Sequence, residues 1–316
     1  MKTLRVLRPG LFTTVQDTGR FGFLKYGVPI SGAMDTFSLV AANLLVGNEP
    51  NEACLETTLV GPELVALKEI QISLTGGNST PMINGGEISM WSTIRMRKDD
   101  VLTFGKMKEG CRTYLALRGG INVPMVLHSR STYVRGGFGG IEGRQLRKED
   151  EIEAKMSFPL KPSYFICEDQ RPAFSNSLSV NVVLGPQADM FPEQELGAFL
   201  SNEYLITLAA DRMGYRLEGQ ALKQKLYADL VSDALLPGTI QVPNDGKPIL
   251  IMRDAQTTGG YAKIAVATTP DLDKLGQSKP YDMIKFRKIP LAEAHKKLLE
   301  YRGKISSLSR GLRRQA

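Results

Sequence analysis

Cysteine and histidine are both scarce, with three of the first and two of the second in 316 residues. Cys54, Cys111 and Cys167 lie far apart, are odd in number and form no CxxC pair. That argues against a disulfide framework or a cysteine zinc site and fits reduced thiols used as core filler. His295 falls on a terminal amphipathic pattern, and His128 has no second histidine with which to hold a metal, so no metal is expected. A Ser-His arrangement of His128 with Ser129 stays open as the alternative. No run of about 18 apolar residues occurs, and the start MKTLRVLRPG leads into a polar, glycine-containing loop rather than an apolar signal core. Neither a membrane span nor export is expected, and a cytoplasmic location follows. A P-loop is missing as well. Gly136-Gly137-Phe138-Gly139-Gly140-Ile141-Glu142-Gly143 has Glu142 where the last glycine of a dinucleotide fingerprint belongs and no helical pattern after it, so it reads as a flexible loop.

The charge is +7, but ten of the 40 Lys/Arg fall between Lys285 and Arg314, against Glu293 and Glu300 alone. The remaining body is nearly neutral, with 30 basic and 31 acidic residues. Such a tail reads as solvated or disordered rather than as an arm, and no nucleic-acid binding is expected.

What is present is β pattern. After a strand and loop over Arg5–Gly27, Asp35 is placed to cap a helix whose stripe is Phe37, Val40, Ala41, Leu44 and Leu45, with Gly47 as its C-terminal glycine. From Cys54 to about Met156 the apolar residues alternate, as in Ile70, Ile72 and Leu74, with turns at Gly76-Gly77, Asn84-Gly85 and Lys98-Asp99-Asp100. This is the pattern of an antiparallel barrel or sandwich. A linker is expected at 161–177, between a first lobe at 1–160 and a second at 178–289. In that second lobe Val180–Leu184 and Tyr204–Ala209 read as strands and Phe191–Leu200 as a short helix opened by Pro192. A terminal helix, Pro290–Tyr301, leads into the basic tail, so that 290–316 stands apart.

In the second lobe, Thr239–Val242 and Pro248–Met252 flank the turn Pro243-Asn244-Asp245-Gly246, which predicts a hairpin. Arg253, Asp254, Gln256, Thr257 and Thr258 follow, then Gly259-Gly260. Hydrogen-bonding groups on a strand end beside glycines suit a binding site, and equally a barrel corner. Further polar groups sit next to glycine-rich turns: Gln16, Asp17 and Arg20; Asp35; Arg130, Ser131 and Thr132; Arg144; Asp211, Arg212, Tyr215 and Arg216; and Gln241. Arginine forks suit carboxylates, and a neighbouring aspartate orients them or takes a proton; structural ion pairs are the competing reading. Glu153-Ala154-Lys155-Met156 approaches the pattern of a biotin-bearing lysine but lacks the methionine before it, and a last strand of the first lobe accounts for it. No covalently attached biotin is expected.

Taken in order, GLFTTVQDTGRFGFLKYGVPISGAMD, LETTLVGPEL, RTYLALRGGI, SRSTYVRGGFGGIEGR, DRMGYRL, GTIQVPNDGKPI and AQTTGGYAKIA resemble the allophanate hydrolase subunit 2 family, also labelled biotin-dependent carboxyltransferase-like, and within it the 5-oxoprolinase branch. His128, Ala255 and Tyr281 depart from that pattern, where glycine, arginine and glycine are usual. The resemblance implies a mainly β chain of two cyclophilin-like antiparallel β-barrel lobes with a few short helices and a C-terminal helix. It implies a hetero-oligomer with a KipI-like B subunit of 5-oxoprolinase and an A subunit, ATP used by the complex, and conversion of 5-oxoproline to glutamate, with the isolated chain inactive. A regulatory protein that binds KipI, an inhibitor of a sporulation histidine kinase, is one rival; a carboxyltransferase acting on urea or a related amide with delivered biotin is another. For the leading reading, Arg212 or Arg216 is expected to hold the substrate carboxylate. Gln241, Gln256, Thr257 and Tyr215 are expected at the ring amide, and Asp35 or Asp254 orients a donor or takes a proton, with Asp35, Asp254 and Tyr215 as the catalytic set.

Overall fold

The computed structural model describes residues 2–156, 158–225 and 230–314. The chain divides into two units. The first holds residues 1–21, 31–174 and 304–316, and the second holds 22–30 and 175–303.

The first unit opens with β1 (Lys2–Arg8) and β2 (Phe12–Gln16) and continues through α1 (Thr36–Leu45). Strands β3 (Cys54–Thr58), β4 (Glu63–Ala66), β5 (Ile70–Asn78), β6 (Pro81–Ile83), β7 (Gly86–Glu87), β8 (Thr93–Met96), β9 (Val101–Phe104), β10 (Glu109–Leu117), β11 (Glu151–Glu153) and β12 (Tyr164–Phe165) follow. They form a six-stranded sheet, β11-β1-β4-β9-β6-β7, and a five-stranded sheet, β2-β3-β10-β5-β8. Leu4, Val6, Leu64, Leu102 and Ile152 from the first and Val15, Leu55, Ile72, Leu74 and Leu115 from the second share one core. Alternation alone would send the intervening residues of β5 to water, yet all of β5 except Asn78 is buried. Helix α1 covers that face, and the polar positions bond to the helix's own carbonyls. Ser73 Oγ donates to Ala42 O at 2.6 Å and Thr75 Oγ1 to Ser38 O at 2.7 Å. Small hydroxyl residues thus satisfy backbone acceptors that burial would otherwise leave costly.

The second unit contains β13 (Ser177–Leu184), α2 (Glu193–Ser201), β14 (Glu203–Ala210), β15 (Gly214–Glu218), β16 (Asp233–Ala234), β17 (Thr239–Val242), β18 (Ile249–Ile251), β19 (Thr258–Gly259), β20 (Ala262–Ala267), α3 (Thr269–Gly276) and β21 (Met283–Lys288). Seven strands close a barrel in the order β13-β20-β17-β18-β15-β14-β21. Its neighbours are antiparallel except β13 and β21, which run parallel from Ser177↔Met283 to Val182↔Lys288 and join the two ends of the sheet. Phe199 of α2 stacks on Phe286 at 4.7 Å between centroids and packs beside Tyr204. The expected hairpin is β17-β18, with Gly246 N donating to Pro243 O.

The chain is mainly β, as expected, with four α-helices among the described residues. Two local expectations need correction. The last helix, α4 (Leu291–Gly311), runs ten residues past Tyr301, and β22 (Arg313–Arg314) then pairs with Tyr164–Phe165. The basic tail is therefore ordered as far as the described residues go. Ile305 and Leu308 continue the stripe of Leu298 and Tyr301 at helical spacing, and Leu308 is buried. Residues 161–174 are held in the first unit by bonds such as Lys161 N to Gln71 Oε1 and Ile166 N to Trp91 O.

Gly303 sits inside α4, and a Cβ added there would meet nothing within 4 Å. Gly303→Ala should therefore raise stability by about 1 kcal/mol, the backbone-entropy cost of a mid-helix glycine. Urea unfolding midpoints of the two proteins check this.

Candidate functional site

In the first unit two buried polar networks are built on loop ends. Asp17, at the end of β2, accepts from Gly19 N at 2.8 Å, Ser129 Oγ at 2.7 Å, Arg130 N at 2.6 Å and Ser131 Oγ at 2.5 Å. Arg20, fully buried, donates through Nη2 to Ser131 O at 2.8 Å and through Nε to Val126 O at 3.1 Å, and lies over the Phe138 ring. Gln16 Nε2 reaches Thr132 O at 3.2 Å. The stretches TTVQDTGR and SRST, 112 residues apart at Asp17 and Ser129, are thus one network. The glycine loop expected to be flexible is packed against it: a Cβ on Gly139 would stand 2.0 Å from Ser131 O, and one on Gly140 2.0 Å from Thr132 Oγ1.

The second network centres on Glu56 of β3, which sequence reasoning missed. Cα pairing sets Glu56 between Thr14 and Tyr114 on neighbouring strands. Its Oε2 accepts from Tyr114 Oη at 2.7 Å and from Met34 N at 2.8 Å, and Arg112 lies 3.8 Å from Oε1. Tyr114 Oη in turn accepts from Asp35 N at 2.8 Å. Asp35 itself is the cap of α1: Ser38 N and Ser38 Oγ donate to its two oxygens, at 2.9 and 2.6 Å. Its carboxylate is engaged in holding a helix rather than poised to take a proton. Burial, and next the charge of Glu56, push the Tyr114 phenol well above its ordinary value. A glutamate inside a Cys-Leu-Glu-Thr-Thr strand, flanked by apolar and hydroxyl residues, was the available signal for this group.

The raised Tyr114 value carries a sign. Because the folded chain holds the phenol proton more tightly than the unfolded chain, whose value is about 10, the contribution is full below pH 10 and is lost as pH rises beyond it. Tyr114→Phe should cost about 1–3 kcal/mol at pH 8 and show a flatter loss of stability between pH 9 and 11 than the parent. Urea unfolding across that range is the check.

In the second unit the structure separates the residues expected to act together. Arg212 and Asp254 form a buried two-pronged pair, Nε to Oδ2 at 2.8 Å and Nη2 to Oδ1 at 3.0 Å. The fork expected to clasp a substrate carboxylate already clasps one from its own chain, and both Asp254 oxygens are engaged. Tyr215 sits in the barrel wall on β15, not on a loop, with its hydroxyl donating to Leu275 O at 3.0 Å. Arg216 alternates with it and is exposed. Gln256 lines a small cleft with Leu24, Pro29, Ile30 and Leu235, and Thr257 is half-buried beside it, its carbonyl accepting from Leu235 N.

Gln241 is buried, with Nε2 donating to Tyr261 O at 3.2 Å. Its Cα partner across the sheet is Lys263 of β20, a second residue missed from sequence. The Lys263 side chain is 5 % exposed and its ammonium contacts Asp233 Oδ2 at 3.3 Å, while the Asp233 side chain is 62 % exposed. Asp233 lies on β16, which pairs with β19. A Cβ on Gly259 would stand 2.9 Å from Gln241 Nε2 and 2.8 Å from Leu235, so glycine is what lets β19 close over Gln241. A lone lysine in the otherwise apolar Ala-Lys-Ile-Ala-Val-Ala was the signal. Elsewhere, a groove of about 520 Å³ in the first unit, lined by Asn78, Glu87, Trp91, Glu109, Glu168 and Arg171 among others, receives none of the residues expected at a site.

No three His, Cys, Asp or Glu side chains among the described residues gather in a way that could hold a metal. No helix among them is long and apolar enough to cross a membrane.

Known proteins share this arrangement over nearly its whole length. The chain is 36% identical over 293 residues to the C subunit of 5-oxoprolinase from Escherichia coli (strain K12), covering 93% of both chains. It is 34% identical over 307 residues to the urea amidolyase of Lachancea kluyveri, which covers 89% of this chain but 16% of that protein. The crystal structure of the K. lactis urea amidolyase superposes with a TM-score of 0.92 at 31% identity, over 98% of this chain and 20% of that one. The family described as carboxyltransferase domain, subdomain A and B, matches residues 26–288. With that match over most of its length, the chain belongs to the carboxyltransferase domain family.

Proposed function

We propose that this chain is the C subunit of an ATP-dependent 5-oxoprolinase that opens 5-oxoproline to glutamate with an A subunit and a KipI-like B subunit, in the cytoplasm. The observation that carries this reading is the identity to the C subunit of 5-oxoprolinase, which extends over 93% of each chain and so leaves little of either outside the comparison. The chemistry of the second unit is compatible with it. A lactam offers one N–H donor and one carbonyl acceptor, and the buried amide of Gln241 can answer both. Buried Lys263, its partner across the sheet, adds a cation of the kind an acidic amide calls for.

A five-membered lactam is a poor electrophile, and nucleotide-driven activation of its carbonyl oxygen is the chemistry that ATP supplies in the complex. Two places among the described residues that could otherwise suit a nucleotide phosphate are already filled. The N-terminus of α1, where a phosphate would find free amides, already holds the Asp35 carboxylate, and the Gly139–Gly143 turns are filled by Ser131, Thr132 and Gly137. We therefore place ATP use with the partner subunits, and no step of this chain's own chemistry runs through it. Lys155 is held by Glu52 at 2.6 Å, which supports the absence of attached biotin; an avidin blot of purified protein should be blank.

The test is ATP-dependent glutamate release from 5-oxoproline by purified subunits, with and without this chain. Release should vanish on its omission; an unchanged rate overturns the proposal. A second reading, carboxyl transfer to urea, is favoured by the 34% identity to urea amidolyase. Urea-dependent ATP consumption with an added biotin carrier, in place of glutamate release, would select it.

A further inference from the structure

In the first unit, β5 keeps its pairing with β10 from Ile72 to Asn78, but on its other side β8 pairs only with Ile70–Ser73. One residue further on, Trp91 N donates to Leu74 O at 2.7 Å. Beyond that bond, no strand among the described residues pairs with Thr75–Asn78 on that side. The chain that could have covered this edge turns away from it. Ile88 N bonds to Pro81 O of the six-stranded sheet, and three residues later Trp91 bonds to the five-stranded one. The crossing passes through Trp91 at φ 60°, a left-handed conformation that an aromatic residue rarely takes. Gly76, at φ 86°, puts no side chain on the edge.

That edge borders open space. Gly76 and Asn78 line the groove of about 520 Å³, whose apolar surface includes Met90 and Phe174 and whose acidic groups are Glu87, Glu109 and Glu168. The negative charge there is little neutralised. Lys108 stands 3.7 Å from Glu87 and Arg171 3.9 Å from Glu168, each near the outer limit of an ion pair, and Glu109 has no ion-pair partner among the described residues. Three carboxylates thus share the groove with one guanidinium, in a chain whose charge is +7. The strand behind the edge is fixed: Leu74 and Thr75 are both fully buried, and Thr75 Oγ1 bonds to Ser38 O.

We propose that this groove docks an extended basic segment of another protein, which adds a strand to the free edge of β5 while its Lys or Arg side chains meet Glu87, Glu109 and Glu168. At about 3.3 Å per residue the edge takes roughly four residues of extended chain. Main-chain bonds to the edge supply affinity whatever the sequence, and the carboxylates select for charge. A strand sends successive side chains to opposite faces, so basic residues at every second position reach the acidic groups while those between them face the apolar lining. An acidic segment would be repelled, and a free polyamine would leave the strand edge unpaired. The proposal stands on the geometry of the first unit and is independent of the 5-oxoprolinase reading.

Trp91 is the only tryptophan in the chain, so its fluorescence reports on the groove it lines. The experiment titrates the full-length chain, by that fluorescence and by calorimetry, with the end-blocked peptide Lys-Val-Lys-Val-Lys. Its Glu-Val-Glu-Val-Glu counterpart, two versions N-methylated at the lysines or at the valines, and spermine serve as comparisons. A strand bonds to its neighbour through alternate amides only, so one N-methylated version should lose binding and the other keep it. The lysine peptide should bind saturably, weaken about tenfold when Glu87→Gln and Glu109→Gln are combined, and weaken further as salt rises from about 50 to about 500 mM. Ser89→Arg, which puts a cation into the groove from an exposed position, should abolish binding. All three substitutions fall on exposed side chains, and thermal melting confirms that the variants fold. No saturable binding at millimolar peptide, equal binding of the glutamate peptide, or indifference to the Glu87 and Glu109 variants overturns the proposal. So does an equal effect of the two N-methylated versions. Spermine binding as tightly as the peptide, with N-methylation without effect, would make the groove a small-polycation site and overturn strand addition. Dimerisation of the free chain that Ser89→Arg abolishes would give the edge to a second copy, and overturns the basic partner.

Discussion

Asp17→Ala should unfold the first unit's loop network at a cost of about 4 kcal/mol, a large fraction of the total stability of a protein of this kind. The carboxylate is buried and accepts from two backbone amides and two serine hydroxyls. Deleting it leaves Gly19 N, Arg130 N, Ser129 Oγ and Ser131 Oγ to find other acceptors. Ser129 and Ser131 can rotate, but the amides are fixed by the turns around them. Single losses of about 1–3 kcal/mol each do not add fully, because the loops relax together. Asp17→Asn keeps an oxygen acceptor and places a donor among donors, so about half the cost is expected. Equilibrium unfolding of the two variants decides the matter: a loss under about 1 kcal/mol for alanine, the size of a single ordinary hydrogen bond, would mean that the network does not hold these loops.

Arg212→Ala should be about as damaging, by roughly 3–5 kcal/mol, through a different cause. The loss of the guanidinium strands the Asp254 carboxylate in a site where it is 9 % exposed. The pair itself contributes far less than that, because its formation already cost two desolvations. Replacing both partners, Arg212→Met with Asp254→Leu, should therefore recover most of the single variant's loss. A double-mutant cycle in urea measures this directly. Were Arg212 instead the substrate's carboxylate clamp, Arg212→Ala would raise KM with little change in stability.

The elements most plainly written in the sequence are those whose signals are local. Asp35 capping a stripe of apolar residues specifies α1, and Pro243-Asn244-Asp245-Gly246 specifies the hairpin β17-β18. Helix α3 escapes sequence reading although Pro270 stands in its first turn, because Thr268 makes no side-chain cap and the preceding run reads as one continuous strand region. The extension of α4 is hidden by Gly303, which reads as a stop but sits with open space around it. The site is harder to read, for a physical reason. Types and spacing flag Arg212, Asp254, Asp35 and Tyr215 as polar groups near turns, but whether a carboxylate is free or spent depends on partners distant in sequence. Asp254 lies 42 residues from the arginine that occupies it. Conversely Glu56, Arg112 and Lys263 lie within strands, where a charged residue ordinarily points to water, and only burial by another layer reveals them as enclosed.

The parallel pairing of β13 with β21 sets a condition on synthesis. The first strand of the barrel finds its second, parallel partner only when Met283–Lys288 has left the ribosome, about a hundred residues after Ser177. Until then both rims of a growing curved sheet stay open to other chains. Truncation just before Met283 should yield aggregates rather than a shorter soluble lobe, and rapid translation with slow closure should make this half the part most dependent on chaperones.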